Sequence, residues 1–468
     1  MAQLPVPGRS GPEPGLIDGA PYRVGDLPDA PRRVLGTLLD AGHEAVLVGG
    51  CLRDLLLGDR PDDWDVATSA RPEQVTERFP GSIWENRFGT VLVPGSDPVE
   101  ITTYRSESEY SDRRRPDEVT FHGSLVGDLA RRDFTINAIA WVPDQVGADT
   151  GRLVDPFGGL DDLRAGRIRA VGTPSDRFAE DALRVLRGVR FGLRFGFETE
   201  AATERALRAA APSTAGLSAE RVRDELLRLL ADPRIVPSAA LRRWEEIGLL
   251  AIILPEVARL RGVPQDKPRG GDALDHSLWT VDALPARDPV LRLAGLLHDT
   301  GKADTQGGGH FIGHEASGAD HAEAVMRRLR FGSREVARVR HLVRHHMFGY
   351  DASWTDAAVR RLLRRVGTAA LDDLFALREA DNEASGAMEP LRGGLGELRS
   401  RIAAQQAAPI AQRHLAVSGH DLRSELGLEP GPRIGELLDG LLEAVIDDPS
   451  LNERGRLLRL ARQQLEGR

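Results

Sequence analysis

The apolar residues of this chain change period part-way along, and that change limits the folds open to it. Up to about residue 142 they come in short runs broken by glycine; from 175 onward they recur every three to four positions. "EAVLVGG" (44–50), "DVAT" (65–68), "TVLVPG" (90–95) and "VEITTYR" (99–105) read as strands. Between them, 31–43, "CLRDLLLG" (51–58) and "RPEQVTERF" (71–79) read as helices, with Gly58 as a stop and Pro72 in a first turn. Segments 178–190, 199–210, 218–231 and 237–249 all carry the helical period. A chain of 468 residues exceeds one core. The expected class is therefore α+β: a head with a small mixed sheet, then a mostly α-helical neck and body, a further helical domain and a helical tail. The Pro/Gly-rich stretches 262–273 and 386–396 mark boundaries. They give a disordered leader at 1–30, the head at 31–164, neck and body at 165–265, the next helical domain at 266–386 and the tail at 387–468.

Composition excludes several classes. Cys51 is the single cysteine, so no disulfide framework exists within the chain, which fits a reducing cytoplasm. The longest apolar runs, such as "LLAIIL" (249–254), are too short to span a bilayer, so no membrane partner is expected. The N-terminus has no basic stretch followed by an apolar core, hence no secretory signal. The net charge of −9 argues mildly against a nucleic-acid partner, but local patches matter more. Of the 62 basic residues only Lys267 and Lys302 are lysines. Such a bias fits a GC-rich coding sequence, so arginine position is informative and arginine abundance is not.

"GDRPDDWDVATSA" (58–70) sets three aspartates around a tryptophan. On a strand, Asp63 and Asp65 point to one face and Trp64 to the other. Adjacent carboxylates repel one another unless a hard divalent cation lies between them. An acidic surface turn is the alternative, and Asp62 reads as its solvated member. Glu100, between apolar residues in "VEI", offers a third carboxylate on a later strand; an outward-facing strand residue explains it equally well. "LVGGCLRD" (47–54) puts a glycine pair between strand and helix, where backbone N–H groups approach an oxyanion closely, with Arg53 one helical step in.

The order GG, DxD and h-E-h (h for an apolar residue) resembles the DNA polymerase β nucleotidyltransferase superfamily. "RRDFTINAIA" (131–140), "LVDPFGGLDDL" (153–163) and "RFAEDALRVLRGVRFGLRFGF" (177–197) narrow the resemblance to class II tRNA nucleotidyltransferases, the CCA-adding enzymes, and their relatives the bacterial poly(A) polymerases. It covers roughly residues 31–250. It implies Mg²⁺ on Asp63 and Asp65, with Glu100 or Asp133 as third carboxylate; the competing reading makes Asp133 the N-cap of a helix over "FTINAIA". It implies nucleotide contacts at Gly50, Arg53 and Arg132. Asp181 and Arg184, at i and i+3 on one helix face, become a protein template. An acceptor beside a donor matches C and A and rejects U and G; an ordinary intrahelical ion pair is the bland alternative. Glu180, Arg187 and Arg190 would orient this pair or bind triphosphate. The implied reaction adds C, C and A to tRNA from CTP and ATP with release of pyrophosphate. Poly(A) addition, or addition of CC or A only, stands beside it. "SESEYSDRRRPDEVTF" (106–121) resembles the family's flexible loop, with Arg113–Arg115 available to steer substrate.

Eight of the twelve histidines fall between 276 and 346. Imidazoles and carboxylates on helices suit a transition metal such as Mn, Ni, Co, Fe or Zn. His276, His298-Asp299 and Asp381 follow the H…HD…D pattern and resemble the HD metal-dependent phosphohydrolases. That likeness makes the four residues metal ligands and makes His314, His345 and His346 candidates for a second ion. An HD hydrolase whose head only binds RNA, and a nonenzymatic RNA-binding scaffold, are the readings from other classes.

Overall fold

A computed structural model describes residues 21–466 apart from 26, 85–88, 105, 109–117, 121–123, 306, 308–309, 387–390 and 406–407. Arg113–Arg115 lie outside the described residues. The chain divides into two compact units, Met1–Ile253 and Leu254–Arg468. The division falls twelve residues before the boundary expected at 265/266. Head and neck share the first unit; the histidine-rich helices and the tail share the second.

The first unit is built on a mixed sheet. Its strands include β1 (Pro21–Arg23), β2 (Ala45–Val48), β3 (Trp64–Thr68), β4 (Ile83–Trp84), β5 (Thr90–Val93) and β6 (Val99–Thr103). Edge to edge the order is β1, Thr150–Val154, Ala140–Pro143, β2, β3, β6, β5, β4. β2 lies antiparallel to β3, and β3 runs parallel to β6 with Asp65 opposite Glu100. This register brings the two acidic strands side by side. β3 alternates as its sequence requires: Trp64, Val66 and Thr68 are buried, while Asp65 faces the other way. Asp63 lies in the bend just before the strand rather than within it.

Three sequence expectations are corrected here. The leader does not extend to residue 30. Pro21–Arg23 pairs with Thr150–Val154, and the Tyr22 carbonyl accepts a 3.1 Å hydrogen bond from the Trp141 indole. "FTINAIA" is not a helix: Thr135–Asn137 form one 3₁₀ turn and Ala140–Pro143 a sheet strand. β-branched and aromatic residues there find an open place between two strands, and sheet pairing wins over helical period. The helix expected over 178–190 is two helices, Pro174–Glu180 and Leu183–Phe195, with Asp181 extended between them (φ −149°, ψ 105°).

In the second unit, helices Ala273–Ala283, Pro289–Leu297, His314–Arg328, Ser333–His345 and Leu371–Ala384 pack together. The tail has its own apolar core, formed by Leu422, Leu437, Leu441, Val445, Leu457 and others. Among the described residues no helix is long and apolar enough to cross a membrane.

Candidate functional site

The β2–helix turn opens the first site. Gly49 has φ +73°, and a Cβ there would stand 2.6 Å from Asp65 Oδ2 and 2.7 Å from Arg132 Nη1. Only glycine lets strand, carboxylate and guanidinium converge at this turn. The Gly50 amide donates to Asp65 Oδ2 at 3.3 Å. Cys51, one residue on, is fully buried behind β3, its thiol donating to the Val48 carbonyl at 3.1 Å and its Sγ accepting from the Asp65 amide at 3.4 Å. Burial and the Asp65 charge hold that thiol far above its usual range. Burial also pushes the Asp65 carboxyl up; the like charge of Asp63 adds to this, against the pull of Arg132.

A cavity of about 1000 Å³ joins these groups. Asp63, Asp65, Glu100, Gly50, Arg53, Arg132, Asp181, Arg184, Arg187 and Arg190 all line it. Thus these site residues, singled out in the sequence of head and neck, reach one space. Carboxylates and arginines share its lining, with Asp65 and Arg132 meeting at Gly49. The all-oxygen donors Asp63 and Asp65, one of them destabilised as an anion by burial and by its neighbour, fit a divalent cation.

Asp133 also lines this cavity, but protein donors engage its oxygens. It accepts from the Phe134 amide (2.8 Å), Asn137 Nδ2 (2.9 Å) and Arg187 Nε (2.7 Å). Burial alone would raise its pKa, but Arg187 and Asn137 hold it well below the carboxylate range. Its oxygens serve protein donors, while Glu100 is the register partner of Asp65. Asn137 also accepts from Arg53 Nη1 at 2.7 Å, so it links Asp133 to Arg53. Arg53 is 4% exposed and lies over Phe195 and Phe191, 4.7 and 5.2 Å from the ring centroids.

Asp181 and Arg184 do not share a helix face, because the helix breaks between them. Asp181 Oδ1 accepts from the Leu183 amide (3.0 Å), and its Oδ2 accepts from Arg221 (2.6 Å). Arg184 donates to Glu180 (2.6 Å) and to the carbonyls of Arg177 (2.8 Å) and Arg131 (2.9 Å). The two are not ion-paired to one another; each is held by a different neighbour. Arg190 is locked to Glu225 at 2.8 Å.

The second site gathers the histidines. His276, His298 and Asp381 form one cluster with ligand atoms within 4.8 Å of one another; His298, Asp299 and His346 form another. All are buried. His298, His314 and His346 each use Nδ1 on the carbonyl three residues back, at 2.7 Å. Their Nε2 atoms are buried without a hydrogen-bond partner and face Asp299 at 3.2, 3.4 and 3.8 Å. An Nδ1–H held by a carbonyl leaves the Nε2 lone pair free for a metal. Burial lowers His276 to about 4 and His346 to about 3, so both are neutral near pH 7. The donor set fits a transition metal. His345 does not join: its ring packs on His341, 4.6 Å away.

Three family models match the chain. Residues 45–169 match "Poly A polymerase head domain", 196–260 match "Probable RNA and SrmB- binding site of polymerase A", and 313–461 match domain 2 of tRNA nucleotidyltransferases. The CCA-adding enzyme of Lactiplantibacillus plantarum is 31% identical over 92% of this chain and 95% of its own length. The chain belongs to the CCA-adding enzymes. The Geobacillus thermodenitrificans CCA-adding enzyme is 34% identical over 89% of the chain and 92% of its own length. The crystal structure of the Bacillus stearothermophilus CCA-adding enzyme in complex with CTP is 30% identical, with a TM-score of 0.69 over 93% of this chain and 97% of that one.

Sequence reading missed several residues of this CCA-adding enzyme's cavity. Gly49, Asn137, Phe191 and Arg221 carry geometry rather than chemistry, and a motif of reactive groups does not flag them. The signal for Gly49 was present in the glycine pair; the one for Phe191 was not, since an aromatic at helical spacing reads as core.

Proposed function

We propose that the chain adds C, C and A to the 3′ end of tRNA, using CTP and ATP and releasing pyrophosphate. The observation that carries this is the head cavity, which brings Asp63, Asp65 and Glu100 into one space with Arg53, Arg132, Arg187, Asp181 and Arg184. In the reaction the terminal 3′-hydroxyl oxygen bonds to the α-phosphorus, the bond to the bridging oxygen breaks, and pyrophosphate leaves while the hydroxyl proton is released. Asp63 and Asp65 would hold Mg²⁺, with Glu100 beside them, and the ion supplies Lewis acidity toward the hydroxyl and the departing charge. Gly50, Arg53 and Arg132 bind phosphate oxygens at the turn, and Arg187 with Arg190 frames the triphosphate. Asp181 offers an acceptor and Arg184 keeps donors beyond those spent on protein carbonyls, so together they select the amino-and-ring-nitrogen edge of C or A. A wrong base leaves a buried group unpaired, at about 1–3 kcal/mol. We infer a cytoplasmic location, which a tRNA substrate and the lack of a disulfide framework support.

The test is a tRNA lacking its 3′ end, incubated with Mg²⁺ and with CTP, ATP or both, followed by product sequencing. C, C, A and a stop is the expected product. A long A-tail would make the chain a poly(A) polymerase, and C-only or A-only products a partial adder. Asp181→Ala is expected to incorporate U and G while RNA binding stays near wild type; unchanged base choice would return Asp181 to a structural partner of Arg221.

The buried histidine–aspartate cluster favours a second reading: a metal-dependent phosphohydrolase in residues 266–386. His276, His298, Asp299 and Asp381 would hold Mn, Ni, Co, Fe or Zn, with His314 and His346 available to a second ion. The metal supplies an activated water; the chain's imidazoles and carboxylates fix where it is held.

A further inference from the structure

The two lysines of this chain both stand at the histidine cluster. All other basic residues are arginines. Lys302 Nζ lies 2.6 Å from Asp299 Oδ2 and 3.1 Å from Gln265 Oε1. Lys267 Nζ lies 2.6 Å from His276 Nε2 and 3.2 Å from Asp381 Oδ1. A chain so biased toward arginine retains lysine at one place only, which points to a geometric need. A guanidinium beside Asp381 would lock onto it as a planar fork; an ammonium is a compact point charge with three donors, able to hold a carboxylate and still reach another oxygen.

Lys267 and Gln265 come from one loop, and the loop is fixed. Pro264 bridges Asp272, Gln265 Nε2 donates to the Asp272 carbonyl at 2.9 Å, and the Gly270 amide donates to the Lys267 carbonyl at 2.9 Å. The Arg269 amide donates to the Ser385 carbonyl at 3.1 Å, while its guanidinium covers Trp279 at 4.1 Å. The Lys267 side chain is 20% exposed against 8% for Lys302. Lys267 is therefore the more solvent-exposed of the two lysines, with its ammonium on the outer side of the buried donors His276 and Asp381. The charges at the centre are unbalanced before any metal binds: carboxylates Asp299 and Asp381 face Lys267, Lys302 and Arg378, the last 2.7 Å from Asp381. A divalent ion increases the excess. The anion that offsets it best carries two charges on a compact group.

Resting on the metal-centre reading above, we infer that Lys267, presented by the loop 264–272, is the phosphate-binding residue of the histidine centre and that this centre takes a phosphomonoester dianion rather than a phosphodiester. The probe is the full chain loaded with Co²⁺, whose visible spectrum reports both metal binding and anions reaching the centre. Inorganic phosphate and dimethyl phosphate are titrated separately. Wild type is expected to bind phosphate at least about tenfold more tightly than dimethyl phosphate. Lys267→Met is expected to lose that preference by about tenfold or more while Co²⁺ still binds and shows its ligand-field bands, and Lys267→Arg is expected to restore only part of it. Phosphate affinity unchanged in Lys267→Met, with Co²⁺ bound, would overturn the inference and leave the metal centre standing. So would tighter Co²⁺ binding without an effect on phosphate, which would make the lysine a filler of the donor set. A wild-type chain that binds no Co²⁺ would remove the metal centre and this inference together.

Discussion

Asp65 is a carboxylate whose charge the surrounding protein disfavours and whose chemistry needs it charged. Asp65→Asn is expected to lower nucleotide addition by about two to three orders of magnitude, with thermal stability unchanged or raised, because burial and the Asp63 charge already oppose the anion. Melting temperature and single-turnover rate, measured on one preparation, check both halves; a large loss of stability would recast Asp65 as structural. His345 shows the opposite economy. Burial, then His341, Arg365 and Arg344, lower it to about 4 from its ordinary 6.5. The folded chain therefore resists a proton that the unfolded chain accepts, so stability falls as pH drops from about 6.5 toward 4 and levels off below. His345→Gln is expected to show a smaller fall in melting temperature across that window. Reactive side chains such as Asp63, Asp65, His298 and Asp299 were legible in sequence because their chemistry is rare at that spacing. Asp133 left two readings open, since its role depends on Arg187, fifty-four positions away.

At the scale of elements, the turn between β2 and the helix Gly49–Leu57 decides the head site. Gly49→Ala adds a Cβ at positive φ, a strain of about 1–2 kcal/mol, and drives it into Asp65 Oδ2. The expected outcome is a modest drop in melting temperature and a much larger loss of nucleotide addition; equal small effects on both would show that the turn yields. The strand–helix–strand order around this turn could be read from apolar runs and glycines. The strand Ala140–Pro143 could not, because its period looks helical and only its neighbours in the sheet make it a strand. The break at Asp181 was hidden for a related reason. "EDALRVLR" has good helical composition, and the break at Asp181 accompanies a bond from Arg221, forty positions away, that no local rule contains.

At the scale of the molecule, two units carry two separate sets of candidate ligands. His298→Ala is expected to leave CCA addition within about twofold of wild type, because His298 lies in the second unit, and to abolish any metal-dependent phosphate release; a large loss of addition would show that the units are coupled. Both units were foreseeable from the shift in period and the clustering of histidines, whereas the boundary between them was displaced because a Pro/Gly loop belongs to the second unit's site. The single thiol of the chain lies behind the strand that bears Asp65, unionised and shielded. Cys51 can react with an alkylating reagent only while that part of the head is open, so its labelling rate is the open fraction multiplied by the rate for a free thiol. The native sequence thus contains a one-residue clock for local opening of the head, and CTP or ATP bound across the turn should slow it in proportion to occupancy.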